Sequence, residues 1–70
     1  MILKKDTVVI GLGKWGLNHV RILSSINRLE GVFDLDRNKI KNISKIFSCC
    51  GYESLDDINN NKKIKNVFII

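Results

Sequence analysis

The chain has 70 residues, a net charge of +5, 44% apolar residues and no proline. This length allows one small domain at most, and the apolar content is typical of a folded chain rather than a disordered one. The lysines are scattered among eight asparagines and eleven isoleucines, so the positive charge predicts no nucleic-acid partner. No apolar run approaches the roughly 18 residues of a membrane span, and the first residues lack the features of a signal peptide. We therefore expect no membrane partner and a cytoplasmic location.

A strand, a helix and a second strand are predicted in the first half of the chain. The β-branched run Thr7–Ile10, ended by a glycine, is typical of a strand buried on both faces of a parallel sheet. A helix is predicted from Lys14 to near Asn27, and a second strand from Leu29 to Asp34. The apolar residues that recur at helical spacing are Leu17, Val20, Ile22, Leu23 and Ile26.

The second half repeats this alternation in shorter elements. Asp36 is a predicted N-cap of a second helix, whose apolar residues are Ile40, Ile43, Ile46 and Phe47. A third strand is expected over Cys49–Glu53, then a helix over Leu55–Asn59 capped by Ser54, and a fourth strand over Val67–Ile70. The adjacent cysteines, Cys49 and Cys50, match no metal pattern and are expected to be reduced thiols at a strand edge.

Three glycines lie between the first strand and the first helix, in the pattern Gly11-Leu-Gly13-Lys-Trp-Gly16. In this context Gly11 allows a tight turn, Gly13 lets the backbone approach a pyrophosphate, and Gly16 lets the helix pack against the sheet. The free amides of the first helical turn, around Lys14 and Trp15, attract an anion. The pattern predicts that these five residues bind a dinucleotide cofactor.

An acidic residue ends the predicted second strand. Asp34 lies 18 residues after Gly16, near the spacing expected of a carboxylate that accepts hydrogen bonds from the adenosine ribose. It predicts NAD as the cofactor, while Arg37 leaves NADP possible because a cation there can meet a 2'-phosphate. His19, one turn into the helix, is expected to be structural rather than catalytic.

Other glycine-rich motifs fit less well. A Walker A loop requires Lys-Ser or Lys-Thr after its last glycine, and Leu17-Asn18 stands there instead. An S-adenosylmethionine-dependent methyltransferase remains an alternative, although an acid commonly precedes its first glycine and Val9-Ile10 precedes Gly11 here. The elements and the motif together predict an α/β fold, a partial Rossmann fold with about four parallel strands in the order 3-2-1-4 and flanking helices.

From Val8 to Ile70 the sequence resembles the N-terminal half of the Gfo/Idh/MocA oxidoreductases. That family's opening reads glycine-x-glycine-x-bulky-glycine-x-x-histidine. The positions that fill it here are Gly11, Gly13, Trp15, Gly16 and His19. The segment Leu17-Asn-His-Val-Arg21 further resembles members that act on nucleotide sugars.

The resemblance implies an NAD(P)-dependent oxidoreductase acting on a sugar or nucleotide sugar, homo-oligomeric at full length. The family's catalytic lysine belongs to a Glu-Lys-Pro motif that these 70 residues do not contain. Residues 1–70 are therefore expected to be the N-terminal part of a dinucleotide-binding domain, without a substrate domain, a catalytic residue or a metal ligand. A non-enzymatic, nucleotide-binding regulatory Rossmann module is the alternative.

Overall fold

The computed structural model describes residues 4–70, which form a four-stranded parallel sheet in the order β3-β2-β1-β4. The predicted α/β class and strand order are confirmed. Residues 1–3, the first residues of the segment without signal-peptide features, lie outside the described residues. Among the described residues, no helix combines the length and apolarity needed to cross a bilayer. The elements are β1 Thr7–Ile10, α1 Lys14–Ser25, β2 Leu29–Phe33, α2 Arg37–Phe47, β3 Cys50–Gly51, α3 Leu55–Asn60 and β4 Asn66–Ile69.

Several element ends differ by one or two residues from the prediction, among them the ends of α3 at Asn60 and of β4 at Ile69. Helix α1 ends at Ser25 instead of Asn27, because Asn27 takes a positive φ of 60° that a helix cannot continue. Strand β2 ends at Phe33, which leaves Asp34 just beyond the sheet, and β4 begins at Asn66. Both predicted N-caps are confirmed, since the Asp36 and Ser54 side chains accept backbone hydrogen bonds at the starts of α2 and α3.

The predicted third strand over Cys49–Glu53 is mostly wrong. Of the five residues in this predicted strand, only Cys50 and Gly51 pair with β2. Cys49 follows Ser48, the C-cap of α2, which adopts the left-handed conformation, and the Cys49 amide donates to the Ser44 carbonyl at 3.0 Å. The end of α2 thus includes a hydrogen bond from Cys49, a residue that the sequence pattern predicted to lie in the strand. Both thiols are free, as expected.

Two apolar clusters pack on opposite faces of the sheet. Helix α1 packs in the first cluster and α3 in the second, whereas α2 contributes to both, through Ile43 and Phe47 to the first and Ile40 to the second. The buried residues of the first cluster are Val9, Leu12, Val20, Leu23, Leu29 and Val32, and those of the second are Val8, Phe33, Ile40, Tyr52 and Ile58. The first cluster includes Leu12 from the turn after β1, so the turn is fixed by the same packing that holds α1 to the sheet.

The inward faces of the helices are narrower than the sequence periodicity predicts. The buried residues of α1 are Gly16, Val20 and Leu23. Ile22 and Ile26 therefore remain 61% and 48% exposed, and in α2 Ile46 is 69% exposed while Ile40 is buried. One helical turn spans only about 3.6 residues, so neighbours of a buried position face away from the sheet.

At the amino end of the sheet, Asp6 joins three segments. Its two carboxylate oxygens accept from Nε and Nη2 of Arg28, each at 2.9 Å, and its carbonyl accepts from the Lys65 and Asn66 amides. The Arg28 guanidinium holds the pKa of the Asp6 carboxyl below its usual value. A paired fork of this kind is favourable mainly while the carboxyl is ionised.

Within residues 4–70, strand β4 forms one edge of the sheet and pairs only with β1. Every residue of β4 is exposed. Phe68 is 39% exposed and Ile69 is 77% exposed. The unpaired backbone groups and apolar side chains of such an edge favour pairing with another chain.

We predict that this chain self-associates through β4 and that Ile69→Lys reduces the association. A lysine on an edge strand hinders pairing, and Ile69 contributes little to the core because it is so exposed. Size-exclusion chromatography with light scattering at several concentrations measures the effect. The matched control is Ile46→Lys on α2, which is similarly exposed and should associate like the parent chain. A parent chain that stays monomeric would contradict the prediction.

We further predict that acid weakens the fold partly through Asp6. Its folded-state pKa is lowered, so the stability that it contributes is present above the unfolded value of about 3.9 and is lost as the pH falls through the folded value. Urea unfolding between about pH 6 and pH 2 should show a smaller loss for Asp6→Asn than for the parent chain. Arg28→Met should reduce the pH dependence similarly, and the double variant should add little. An unchanged pH dependence in Asp6→Asn would refute the assignment.

Candidate nucleotide-binding site

The glycine-rich turn lies where β1 ends, beside the ends of β2 and β4. Gly11 has a φ of +99°, which side chains rarely adopt, and its amide donates to the Phe33 carbonyl at 2.9 Å. A Cβ at Gly11 would lie 2.8 Å from the Ile70 carbonyl oxygen. The fold itself therefore requires glycine at position 11.

Gly16 is required for a different reason. It is buried on the inward face of α1, and a Cβ built there would clash with the carbonyl oxygen of Gly11. Because that obstacle is backbone, a side-chain rearrangement cannot remove it. Gly16 thus allows α1 to start directly against the turn after β1, as the sequence predicted for the third glycine.

Gly13 differs from the other two glycines because nothing in the described chain requires it. It is exposed, has an ordinary φ of −75°, and a Cβ there would meet no heavy atom within 4 Å. Gly13 is the N-cap of α1, and its carbonyl accepts from the Leu17 amide at 2.9 Å. The open space in front of it is available to a ligand.

The amino end of α1 carries features of an anion site. Within the described residues, no side chain caps α1 through a hydrogen bond, and its first turn holds no acidic residue. Lys14 and Trp15 open the helix, and Trp15 is 67% exposed. Uncapped amides and the positive end of the helix dipole favour a negatively charged group at this position.

Asp34 follows β2 and reaches across to the glycine-rich turn. Its Oδ2 accepts from the Leu12 amide at 2.7 Å, and its Oδ1 accepts from the Asp36 amide at 2.7 Å. These two hydrogen bonds, that from Asp36 first, lower the pKa of the Asp34 carboxyl. The side chain is half-buried and each of its oxygens has a second lone pair, so it can still accept from a ligand hydroxyl.

Among the predicted site residues, Arg37 is the one that lies farthest along the sequence from the glycine-rich turn. It is exposed at the first position of α2 and lines a groove of about 350 Å³ between α2 and the end of β3. The other lining residues are Asn38, Ile40, Lys41, Ser44, Gly51 and Glu53. None of the glycines of the turn lines this groove, so the structure groups Arg37 with the α2 surface.

His19 has structural partners. Its Nδ1 donates to the Trp15 carbonyl at 3.0 Å, and its ring meets the Phe68 ring edge to face, with centroids 5.5 Å apart. This contact joins α1 to β4. The interpretation of His19 as a structural residue agrees with both contacts.

The hydrogen bond from the Leu12 amide to Asp34 is the feature of the site that the sequence did not reveal. The two residues are 22 positions apart, and a backbone amide has no signature in the sequence. Only the parallel pairing of β1 with β2, which aligns Ile10 with Phe33, brings them together.

No protein-family model and no curated protein sequence matches this chain. Among solved structures, UDP-N-acetylglucosamine 3-dehydrogenase GnnA from Acidithiobacillus ferrooxidans is similar over 99% of this chain, with 26% identity and a TM-score of 0.84. GenD2 from gentamicin A biosynthesis, solved in complex with NAD, is 22% identical with a TM-score of 0.88 over the whole chain. A Desulfitobacterium hafniense protein described as an NADPH-dependent oxidoreductase is 18% identical with a TM-score of 0.86.

This chain spans only 21–22% of the length of those proteins. At 22% and 18% identity, the second and third similarities show the fold alone. The similarity to the A. ferrooxidans dehydrogenase, a member of the Gfo/Idh/MocA family, confirms the resemblance that the sequence predicted.

We predict that Gly13→Val keeps the fold, whereas Gly16→Ala destabilises it by about 3 kcal/mol or more, since a backbone clash cannot be relieved by repacking. The Gly13 substitution should cost about 1 kcal/mol or less, through a poorer N-cap. It should nevertheless weaken dinucleotide binding at least tenfold, because its side chain occupies the open space. Circular dichroism melts and calorimetric titration with NADH measure the two effects. A folded Gly13→Val variant with unchanged affinity would show that the turn is not the binding site.

Proposed function

We propose that this chain is the NAD(P)-binding part of a Gfo/Idh/MocA-type oxidoreductase that acts on a sugar or nucleotide sugar. The observation that carries the proposal is the contrast among the three glycines. Gly11 and Gly16 are required by the packing of the chain itself, but Gly13 faces open space at an uncapped helix start. A ligand that approaches the backbone closely would explain why position 13 is a glycine, because any side chain there would occupy the space of the ligand.

The residues of the turn fit the two halves of the adenosine diphosphate group. The pyrophosphate would lie against Gly13 and accept hydrogen bonds from the Lys14 and Trp15 amides at the start of α1. The ribose hydroxyls would donate to Asp34, whose carboxylate lies beside the same turn through its bond to Leu12. These groups need no rearrangement of the sheet to meet one ligand.

Charge favours NAD over NADP in this proposal. A 2'-phosphate would bring about two negative charges toward Asp34, a repulsion on the order of a few kcal/mol at an effective dielectric constant near 20. Arg37 is the cation that could offset this repulsion, and it lies on α2, three residues after Asp34. The similar proteins include one solved with NAD and one described as NADPH-dependent.

The proposed substrate class rests on the similarity to an enzyme that oxidises UDP-N-acetylglucosamine. When bound, the cofactor would accept a hydride from a carbinol carbon of such a substrate. The residues described here would bind and orient the cofactor, and none of them is proposed to move the substrate proton. We propose that the cofactor and the sugar are the partners of the whole protein, which would work as a homo-oligomer.

We predict that NADH binds this chain about tenfold or more tightly than NADPH. Fluorescence titration of both cofactors measures the preference. Asp34→Ser should reduce the preference because it removes the repelling charge, and Arg37→Ala should increase it because it removes a cation that could meet the 2'-phosphate in the proposed pose. NADPH binding tenfold tighter than NADH would overturn the role given to Asp34. Failure of both cofactors to bind would overturn the proposed function.

A further inference from the structure

We infer that Asp34 is a positioning residue, whose carboxylate holds the glycine-rich turn in the conformation that binds pyrophosphate. This inference rests on the proposed function and assigns to Asp34 a second role beside ribose recognition. In this role the carboxylate acts on the turn through the Leu12 amide, which is not among the amides proposed to bind pyrophosphate.

The geometry places Asp34 between two loops. One carboxylate oxygen accepts from Leu12 in the β1–α1 turn, and the other accepts from Asp36 in the β2–α2 turn, both at 2.7 Å. Hydrogen bonds from amides to an ionised carboxylate are short and about twice as strong as neutral ones. Asp34 therefore cross-links the two turns at the carboxyl end of the sheet.

Leu12 is the residue through which this link reaches the anion site. Its side chain is almost fully buried, at 2% exposed, and it lies between Gly11 and Gly13. The Gly11 amide is fixed by the Phe33 carbonyl and the Leu12 amide by Asp34. With two successive amides fixed, the peptides on both sides of Gly11 have little freedom to rotate, and this sets the direction in which the chain enters Gly13 and α1.

An amide side chain cannot replace this carboxylate. Asparagine offers one acceptor oxygen and one donor nitrogen, so in Asp34→Asn one of the two backbone amides would face a donor. The turn loses one anchor, although the side chain keeps its size. The charge of Asp34 acts in the opposite sense on an anion, because removing it would by itself strengthen pyrophosphate binding.

In Asp34→Asn, loss of the anchor weakens pyrophosphate binding and loss of the charge strengthens it. Titration with inorganic pyrophosphate, which has no ribose, therefore distinguishes the two effects. The amide signals of Gly13 and Lys14 are followed by nuclear magnetic resonance during titration of the parent chain and of Asp34→Asn. If Asp34 positions the turn, pyrophosphate binds Asp34→Asn at least fivefold more weakly. If Asp34 serves only the ribose, the affinity stays unchanged or increases, and that result would overturn the inference.

The matched control is Asp36→Asn. It removes the same charge two residues away, asparagine is an equally good N-cap for α2, and the backbone amide bonded to Asp34 is kept. Pyrophosphate affinity in this variant should stay within twofold of the parent value or increase. A loss equal to that of Asp34→Asn would show a charge effect and not positioning.

Hydrogen exchange separates this inference from the proposed function. In the ligand-free parent chain the Leu12 amide should exchange at least tenfold more slowly than the exposed Gly13 amide, and Asp34→Asn should accelerate Leu12 exchange selectively. Equal exchange at Leu12 and Gly13 in the parent chain would overturn the inference even if Asp34→Asn failed to fold. A protected Leu12 amide in a chain that binds pyrophosphate but neither NADH nor NADPH would support the inference and overturn only the proposed function.

Discussion

The close approach of Gly16 to the Gly11 carbonyl is the contact on which the rest of the site depends. A single Cβ at position 16 would enter the space of that backbone oxygen. Without it, α1 starts directly over the end of β1, and Val20 and Leu23 reach the sheet. The helix then points its uncapped amides past Gly13, at the edge where parallel strands present their carboxyl ends and where ligands bind in open α/β sheets.

Asp34 restricts the same turn through hydrogen bonds to its carboxylate, in addition to the steric constraint at Gly16. The glycines allow the turn to adopt its shape, but glycine also gives a chain many other conformations. The hydrogen bonds from Leu12 and Asp36 to the carboxylate restrict those alternatives. The site thus combines glycines, which leave room for a ligand, with one charged residue, Asp34, which limits the backbone flexibility that the glycines introduce.

The opposite end of the sheet and its β4 edge show how unevenly the molecule is stabilised. Asp6 and Arg28 join β1, β2 and the segment before β4 through paired hydrogen bonds. Strand β4 itself, including Val67 and Phe68, remains exposed on every residue. The part of the sheet next to the candidate site is therefore the β1–α1–β2 unit, whose strands, turn and single helix contribute the buried residues of one continuous apolar cluster.

The order of the elements, the N-caps at Asp36 and Ser54, and the position of the glycine-rich turn could all be predicted from the amino-acid sequence. These features follow from local composition and spacing, which act within a few residues. Packing of the strands and helices was needed to establish that Ile22 and Ile46 are exposed, that Cys49 follows the Ser48 cap of α2 instead of extending β3, and that the Leu12 amide meets Asp34. Each of these outcomes depends on which surfaces face each other after the strands pair, and such long-range packing leaves no local pattern in the chain.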